Sequence, residues 1–340
     1  MENNKIKNIP IEDNLLPLNF SSGIHLDSTG NIQRNKGLIK DCYVCIRPGN
    51  KKNVPKVIVE KFGERIVSSN YGHGGIGWST GWGSVIKSIQ FMEKKLKSKN
   101  KSLYDNKIAI VGAGCNGCKT ALLLLEKGVR PENIEIFCDD LEDTTSHRSG
   151  AIMSTASVLE EIPPELQKIY DEINIDSFLS WDEIEKGKKF PKLKEGVLRV
   201  KAYFGAEKEY GTIVTDSGLD ILCEKGLIPQ PQLVYVKFKD RFNLMKKYES
   251  FYFNTFKLMR GFYDMLFNDY KIKLNKVKLD NFNEISEKFG IVFNCSALSN
   301  KAHLRNDDDI YPIGGHIVTL KGQDIKNFDY VIYSHYWSRA

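Results

Sequence analysis

The chain has 340 residues, 41% of them hydrophobic and 27% charged, with 18 Phe, 15 Tyr and 4 Trp. That is about two domains' worth of sequence at roughly 150 residues each, too apolar and aromatic to stay disordered. Its 49 basic and 43 acidic residues leave a net charge of +6, too thin over this length to mark a nucleic-acid partner.

The longest apolar runs, Ile108–Val111 and Ala121–Leu125, fall far short of a membrane span, so no membrane partner is expected. The first twenty residues have no apolar core behind a basic start, which predicts no secretory leader and a cytoplasmic setting. Residues 1–40 are polar and turn-rich, with a short apolar stretch at Asn14–Phe20, and Cys42–Ile46 reads as a strand. An odd number of cysteines, seven, predicts free thiols. Cys42/Cys45 and Cys115/Cys118 have the spacing of a zinc site. Residues three apart on a strand point to opposite faces, so no metal is expected and the thiols read as small buried side chains.

Lys56–Val59 and Arg65–Ser69 read as short strands. Ser79–Leu96 has helical periodicity, with Val85, Ile86, Ile89, Phe91, Met92 and Leu96 on one broad face. Lys95–Lys107 reads as a solvated linker. Lys107–Val111 is strand-like, Lys119–Lys127 a helix closed by Gly128 with Pro131 beyond, and Ile134–Cys138 the next strand. Together they make one βαβ unit of about thirty residues. Helices are expected at Val158–Asn174 and at Trp181–Lys186, the second stopped by Gly187, and strands at Val197–Phe204 and Gly211–Thr215. Tyr252–Asn268 reads as a helix carrying Phe256, Met259, Phe262, Tyr263 and Leu266 near one face. Strands follow at Ile291–Asn294, Ile317–Leu320 and Tyr330–Tyr333. The alternation predicts an α/β fold with a second, strand-rich domain inserted.

The strand at Ile108–Val111 runs straight into Gly112, Ala113, Gly114, Cys115, Asn116 and Gly117, a GxGxxG turn, and then into a helix. Gly112 permits the tight turn, Gly114 lets backbone approach a pyrophosphate, and Gly117 lets helix pack on strand. The helix N-terminus adds unpaired N–H groups and a positive dipole. The next strand ends in Asp139 and Asp140, and Asp139 lies 22 residues past Gly117, where a carboxylate can hold a ribose hydroxyl. The turn by itself suits NAD or FAD equally.

Further segments resemble one family. Thr144 to Ala151, with Thr145, Ser146 and Gly150, resembles the threonine-rich stretch after the second strand of D-amino-acid oxidases. Asn70 to Gly83, containing His73, Gly75, Gly77 and Trp82, resembles that family's glycine-rich signature. Cys42–Pro48 looks like the segment carrying its substrate-carboxylate arginine, here Arg47. Ile291 to Ala297 resembles its late flavin-domain strand, and Tyr311 to Ile317 the Pro/Gly-rich turn after it. The order differs: the family opens with the nucleotide turn and closes with the arginine and glycine segments, which here come first. The chain therefore resembles a circular permutant, with the family's two ends joined through Lys95–Lys107.

The resemblance implies a Rossmann-like FAD-binding domain with an interleaved α+β substrate domain containing a mixed or antiparallel sheet. It assigns residues 41–98, 99–160 and 276–310 to the FAD-binding part, and 1–40, 161–275 and 311–340 to the substrate domain. It implies a flavoenzyme that takes a hydride from the α-carbon of an amino acid or amine, acting as oxidase or dehydrogenase. Arg47 would bind the substrate carboxylate as a bidentate fork, and the Gly75 carbonyl would receive the amine. Tyr43 and Tyr336 join them as pocket candidates, with Tyr333 nearby. Gly74, Ile76, Gly77, Trp78 and Ser79 would line the flavin with His73, which holds the loop. Thr144, Thr145 and Ser146 would donate hydroxyls, and Val277, Cys295 and Ser296 complete the cofactor set. A helix starting near Ser79 would aim its dipole at reduced flavin. Relocated ends leave either an open pocket, suited to a bulkier or carrier-linked substrate, or a lid split between the two termini. Two other readings stand beside this one: a flavin-binding protein without turnover, and an NAD-dependent dehydrogenase.

Overall fold

A computed structural model describes residues 10–12, 24–26, 32–34, 39–142, 144–155, 162–206, 216–238, 241–304, 306–320 and 329–335. Its strands in chain order are β1 (Ile11–Glu12), β2 (Ile24–Leu26), β3 (Ile32–Arg34), β4 (Ile39–Asn50), β5 (Lys56–Phe62), β6 (Arg65–Tyr71), β7 (Ile108–Val111) and β8 (Ile134–Cys138). After them come β9 (Ala151–Ile152), β10 (Val197–Ala206), β11 (Gln232–Phe238), β12 (Arg241–Phe253), β13 (Lys273–Lys276), β14 (Ile291–Asn294), β15 (Ile310–Leu320) and β16 (Tyr330–His335). The helices are α1 (Gly81–Lys97), α2 (Cys115–Glu126), α3 (Pro164–Glu185), α4 (Ser217–Glu224) and α5 (Thr255–Tyr263). No described helix is long and apolar enough to cross a membrane.

The chain is mixed α/β and divides into two compact units, Cys45–Leu198 with Phe251–Gly315, and Met1–Val44 with Arg199–Ser250 and His316–Ala340. The first unit holds a six-stranded sheet in the order β13-β8-β7-β14-β6-β5. Its first five strands are parallel, and β5 turns back antiparallel on β6. Buried strands with cover on both faces read as continuous apolar runs, and all of β7 and β8 is buried. On one face Val67, Ala109, Val111 and Val292 pack with Phe137, Phe282 and Phe289. On the other, Ile110 faces α2, because a Cβ added at Gly117 would lie 3.6 Å from it.

Register places the site. Asn294 pairs with both Val111 and Ser69, and Val111 with Phe137, so β6, β14, β7 and β8 end together. The loops leaving this edge are those after Tyr71, Asn294, Val111 and Cys138. In open parallel sheets ligands bind outside the carboxyl ends of the strands, where the strand order reverses. Thus β6, which precedes the Gly112–Gly117 turn in the chain, delivers its glycine-rich loop to the same edge.

The second unit is built on a mixed sheet in which β1 and β11 are parallel, β11 and β12 antiparallel, and β10 and β16 parallel. Its core joins Tyr203, Val234, Val236 and Met245, with Tyr330 and Ile332 against them. Tyr333 packs on Phe204, ring centroids 5.4 Å apart.

Several elements differ from expectation for local reasons. The two helices expected at Val158–Asn174 and Trp181–Lys186 are one, α3, whose buried Ile173, Ser177, Trp181 and Ile184 keep a single face; residues 156–161 lie outside the described residues. Tyr252 and Phe253 end β12, and α5 starts only after Asn254, whose side chain accepts the Lys257 N–H. That start leaves Phe256 51% exposed and turns Leu258 inward instead. A π-helical turn at Asp264–Asp269 continues it. The Pro/Gly-rich segment Tyr311–Ile317 is part of β15, paired among the described residues with β4 alone, where an edge strand tolerates proline. The expected linker begins as the end of α1 and buries Leu103. The expected strand at Gly211–Thr215 lies outside the described residues.

Candidate functional site

Two clefts open at the shared strand edge, of about 610 and 720 Å³, and both are lined by Gly114, Thr145, Ser146, Cys295 and Ala297. They are two ends of one trough, joined through those five residues.

The acidic end is built on the glycine turn. Gly112 has φ 101°, and a Cβ there would lie 2.6 Å from the Cys295 carbonyl oxygen, so only glycine fits. A Cβ at Gly117 would overlap the Gly112 carbonyl, which lets α2 start directly on its own turn. Gly114 meets only Ser146 Oγ, at 3.0 Å, and leaves the floor of the trough bare. The Cys115 N–H donates to Ser146 Oγ (3.0 Å), so that hydroxyl keeps its own proton to give. Thr145 has already given its proton to the Ile46 carbonyl (2.7 Å), and Thr144 Oγ1 pairs with His147 Nδ1 (2.9 Å). Ala113, Val277 and Ser296 line the same end, and Ser296 Oγ donates to Asn294 Oδ1.

Asp139 and Asp140 both reach this cleft but differ in what they can still bind. Asp140 Oδ1 accepts the N–H groups of Glu142 and Leu141, and those bonds hold its carboxyl below the usual range. It caps the turn. Asp139 accepts one N–H, on Oδ1, and keeps Oδ2 for a ligand hydroxyl.

The other end is built around Arg47. Its guanidinium makes no hydrogen bond or ion pair with the described residues, and its Nε is buried. Gly75, at φ 120°, and Gly315 flank it: a Cβ on Gly75 would lie 2.9 Å from Nη1, and one on Gly315 3.5 Å from Nε. The Gly74 N–H donates to the Pro48 carbonyl (2.6 Å), tying the arginine segment to the glycine loop. A cation fork held between bare backbone and left unpartnered is suited to a planar anion.

His73 lines this cleft but is spoken for. Its Nε2 lies 2.9 Å from Asn70 Oδ1 and 2.8 Å from Asn116 Nδ2, and its Nδ1 3.3 Å from Thr80 Oγ1. Burial first, and the Lys119 charge second, push its pKa down to about 3, so it is neutral and structural. Gly77 and Trp78 line the cleft, and Trp78 Nε1 donates to the Ser146 carbonyl (3.1 Å). Gly74, Ile76, Ser79 and Gly117 do not line either cleft. Ile76 packs with Tyr170 and Ile173, and Ser79 Oγ donates to the Ile152 carbonyl (2.7 Å). Tyr43 belongs to the other unit and lines neither cleft; Tyr336 lies outside the described residues.

The thiols are engaged by backbone rather than by one another. Cys115 Sγ faces the Gly77 carbonyl (3.8 Å) and Cys118 Sγ the Ala113 carbonyl (3.3 Å), while Cys42 is exposed and Cys45 buried. One functional-looking residue escaped sequence reasoning: Lys119, fully buried on α2. Its sequence signal is slight: a lysine two residues ahead of the apolar run Ala121–Leu125, on a helix that must pack.

Comparison with known proteins gives a partial likeness. The chain is 37% identical over 83 residues to a D-amino acid oxidase of Dugesia ryukyuensis. The match spans 24% of this chain and about a fifth of that relative, 21%. Among solved structures, an L-amino acid deaminase from Proteus myxofaciens, in complex with anthranilate, aligns with a TM-score of 0.32 and 12% identity. That alignment covers 50% of this chain and 38% of the other. No protein-family model matches the chain.

Proposed function

We propose that this protein is an FAD-dependent oxidoreductase that oxidises the C–N bond of an amino acid or amine. The observation that carries the reading is the Arg47 guanidinium, without a partner among the described residues and set between two glycines, at one end of a trough whose other end is the GxGxxG turn. The partial identity to a D-amino acid oxidase supports it.

The residues present fit the cofactor. Gly112 and Gly114 leave a cradle that a Cβ would narrow, Ser146 retains a proton, and Asp139 retains an oxygen for a ribose. Bound there, FAD would supply the hydride acceptor. Arg47 would hold a carboxylate in two parallel bonds and so fix the α-carbon against the face bordered by Gly75, Gly77 and Trp78. Neutral His73 offers no base; it keeps the loop in shape. The sheet supports the permuted order, because the strand beyond β14 is β6, contributed from ahead of the nucleotide turn, with α1 leading back to β7.

The test is purification followed by anaerobic mixing with amino acids and amines. A yellow protein whose visible absorbance bleaches with an amino acid is the expected result. A colourless protein with nicotinamide-dependent turnover would overturn the reading, as would bound flavin that no candidate reduces.

A further inference from the structure

Lys119 is fully buried on the second turn of α2, inside a box of three indoles. Its Nζ lies 5.0 Å from the Trp78 ring, 5.1 Å from Trp181 and 5.7 Å from Trp82, all within cation–π range. A Cβ on Gly81 would collide with this ammonium, so the start of α1 is shaped around it. Its hydrogen bonds run to the carbonyls of Gly77 (3.0 Å) and Trp78 (3.4 Å), and no carboxylate pairs with it among the described residues. An unpaired buried cation is expensive unless something nearby is negative.

What it grips explains why it is there. Gly77 and Trp78 line the cleft, and in a trans peptide the carbonyl and the following N–H point in opposite directions. With both carbonyls turned to Lys119, the N–H groups of Trp78 and Ser79 are turned away from it. Neither meets an acceptor among the described residues, although both residues are buried. Such N–H groups gather negative charge.

We propose that Lys119 is a positioning residue that tunes the trough for negative charge, by clamping the Gly77 and Trp78 carbonyls and by standing as a fixed cation behind them. This rests on the flavin reading above, and deepens it: the charge favoured is that of reduced over oxidised FAD. The groups facing Lys119 are Cys115 and Cys118 from its own helix, His73 from the glycine loop, and the three indoles. Burial, countered by those thiols, lowers its pKa to about 8, which leaves it mostly charged at neutral pH.

The experiment compares dissociation constants of apoprotein for oxidised FAD and for dithionite-reduced FAD, in the unaltered chain, Lys119→Met and Lys119→Arg. Lys119→Met is expected to lose about tenfold in the preference for reduced FAD, about 30 mV for a two-electron couple, and Lys119→Arg to retain the preference. An unchanged ratio in folded Lys119→Met overturns this inference and leaves the flavin reading standing. Failure of the unaltered chain to bind FAD in either form overturns both. Should the variants not fold, the unaltered chain decides: a ratio that steps down as pH rises through the lysine's titration supports the role, by reciprocity of proton and ligand binding, and a flat ratio overturns it.

Discussion

Arg47 stands out at the scale of single residues, since its guanidinium has no hydrogen-bond or ion-pair partner among the described residues. Substituting it with Met should leave the melting temperature within a few degrees, because no described contact breaks. Under the proposed function the same substitution would remove two charge-assisted bonds to a substrate carboxylate, each about 1.5–3 kcal/mol, so kcat/KM should drop by about a hundredfold or more. Steady-state kinetics beside a thermal melt separate the two effects; a melt that collapses, or a rate that does not change, contradicts the assignment. Ala297 makes a second residue-scale case. It sits at φ 51° where the trough's two ends meet, a left-handed conformation that alanine adopts at a cost. Ala297→Gly should stabilise the protein by about 0.5–1 kcal/mol in a urea titration, and destabilisation would show that the Cβ packs usefully.

At the scale of elements, α1 comes against the backbone of α3 at Gly83. A Cβ on Gly83 would overlap the Ile173 carbonyl, and the Gly83 N–H donates to Ser177 Oγ (2.7 Å). Gly83→Ala should therefore cost about 1–3 kcal/mol, read as a lowered denaturation midpoint; an unchanged midpoint would mean the helices part easily. The elements legible in the sequence were those whose signal is local. The strands β7, β8 and β14 are short apolar runs, and the glycine turn marks the start of α2. The sequence suggests a start for α2 at Lys119, but the helix begins at Cys115, because the last glycine of the turn already lies inside it. The seam between β12 and α5 was missed because aromatic residues run unbroken through it and the cap is a single asparagine. Strands β11 and β12 were not expected at all: their lysines and tyrosines alternate weakly, and antiparallel pairing rather than composition defines them. Of the trough, the backbone-shaping glycines could be read ahead of the structure. The pairing of Ser146 with Cys115, the split of roles between Asp139 and Asp140, and the box around Lys119 depend on contacts between distant segments.

For the molecule as a whole, acid sensitivity should trace to buried groups of the unit that carries the parallel strands β13-β8-β7-β14-β6. His73 is held near pKa 3 against an ordinary 6.5, so the unfolded chain binds a proton that the folded one refuses. Its contribution is complete above about pH 6.5 and disappears as pH falls toward 3, at up to about 1.4 kcal/mol per pH unit. Glu135 adds a second loss lower down. Burial raises its pKa, but bonds from Lys288, Asn275 and Lys273 outweigh that and bring it to about 2. Its share is present above about pH 4.5 and lost toward 2. Urea midpoints measured from pH 7 to 4 should fall steadily, and His73→Asn should flatten that slope; a slope unaltered by the substitution would place the titrating group elsewhere. The arrangement that makes one site of segments far apart in sequence is the common strand edge, where β6 and β7 are held in parallel on either side of β14.

A crystal structure of the protein loaded with FAD and an unreactive amino-acid analogue tests the whole proposal most directly. The analogue's carboxylate is expected on the Arg47 guanidinium and the flavin ring against Gly75, Gly77 and Trp78. An analogue bound away from Arg47, or a dinucleotide whose ring leaves the glycine loop bare, would contradict it.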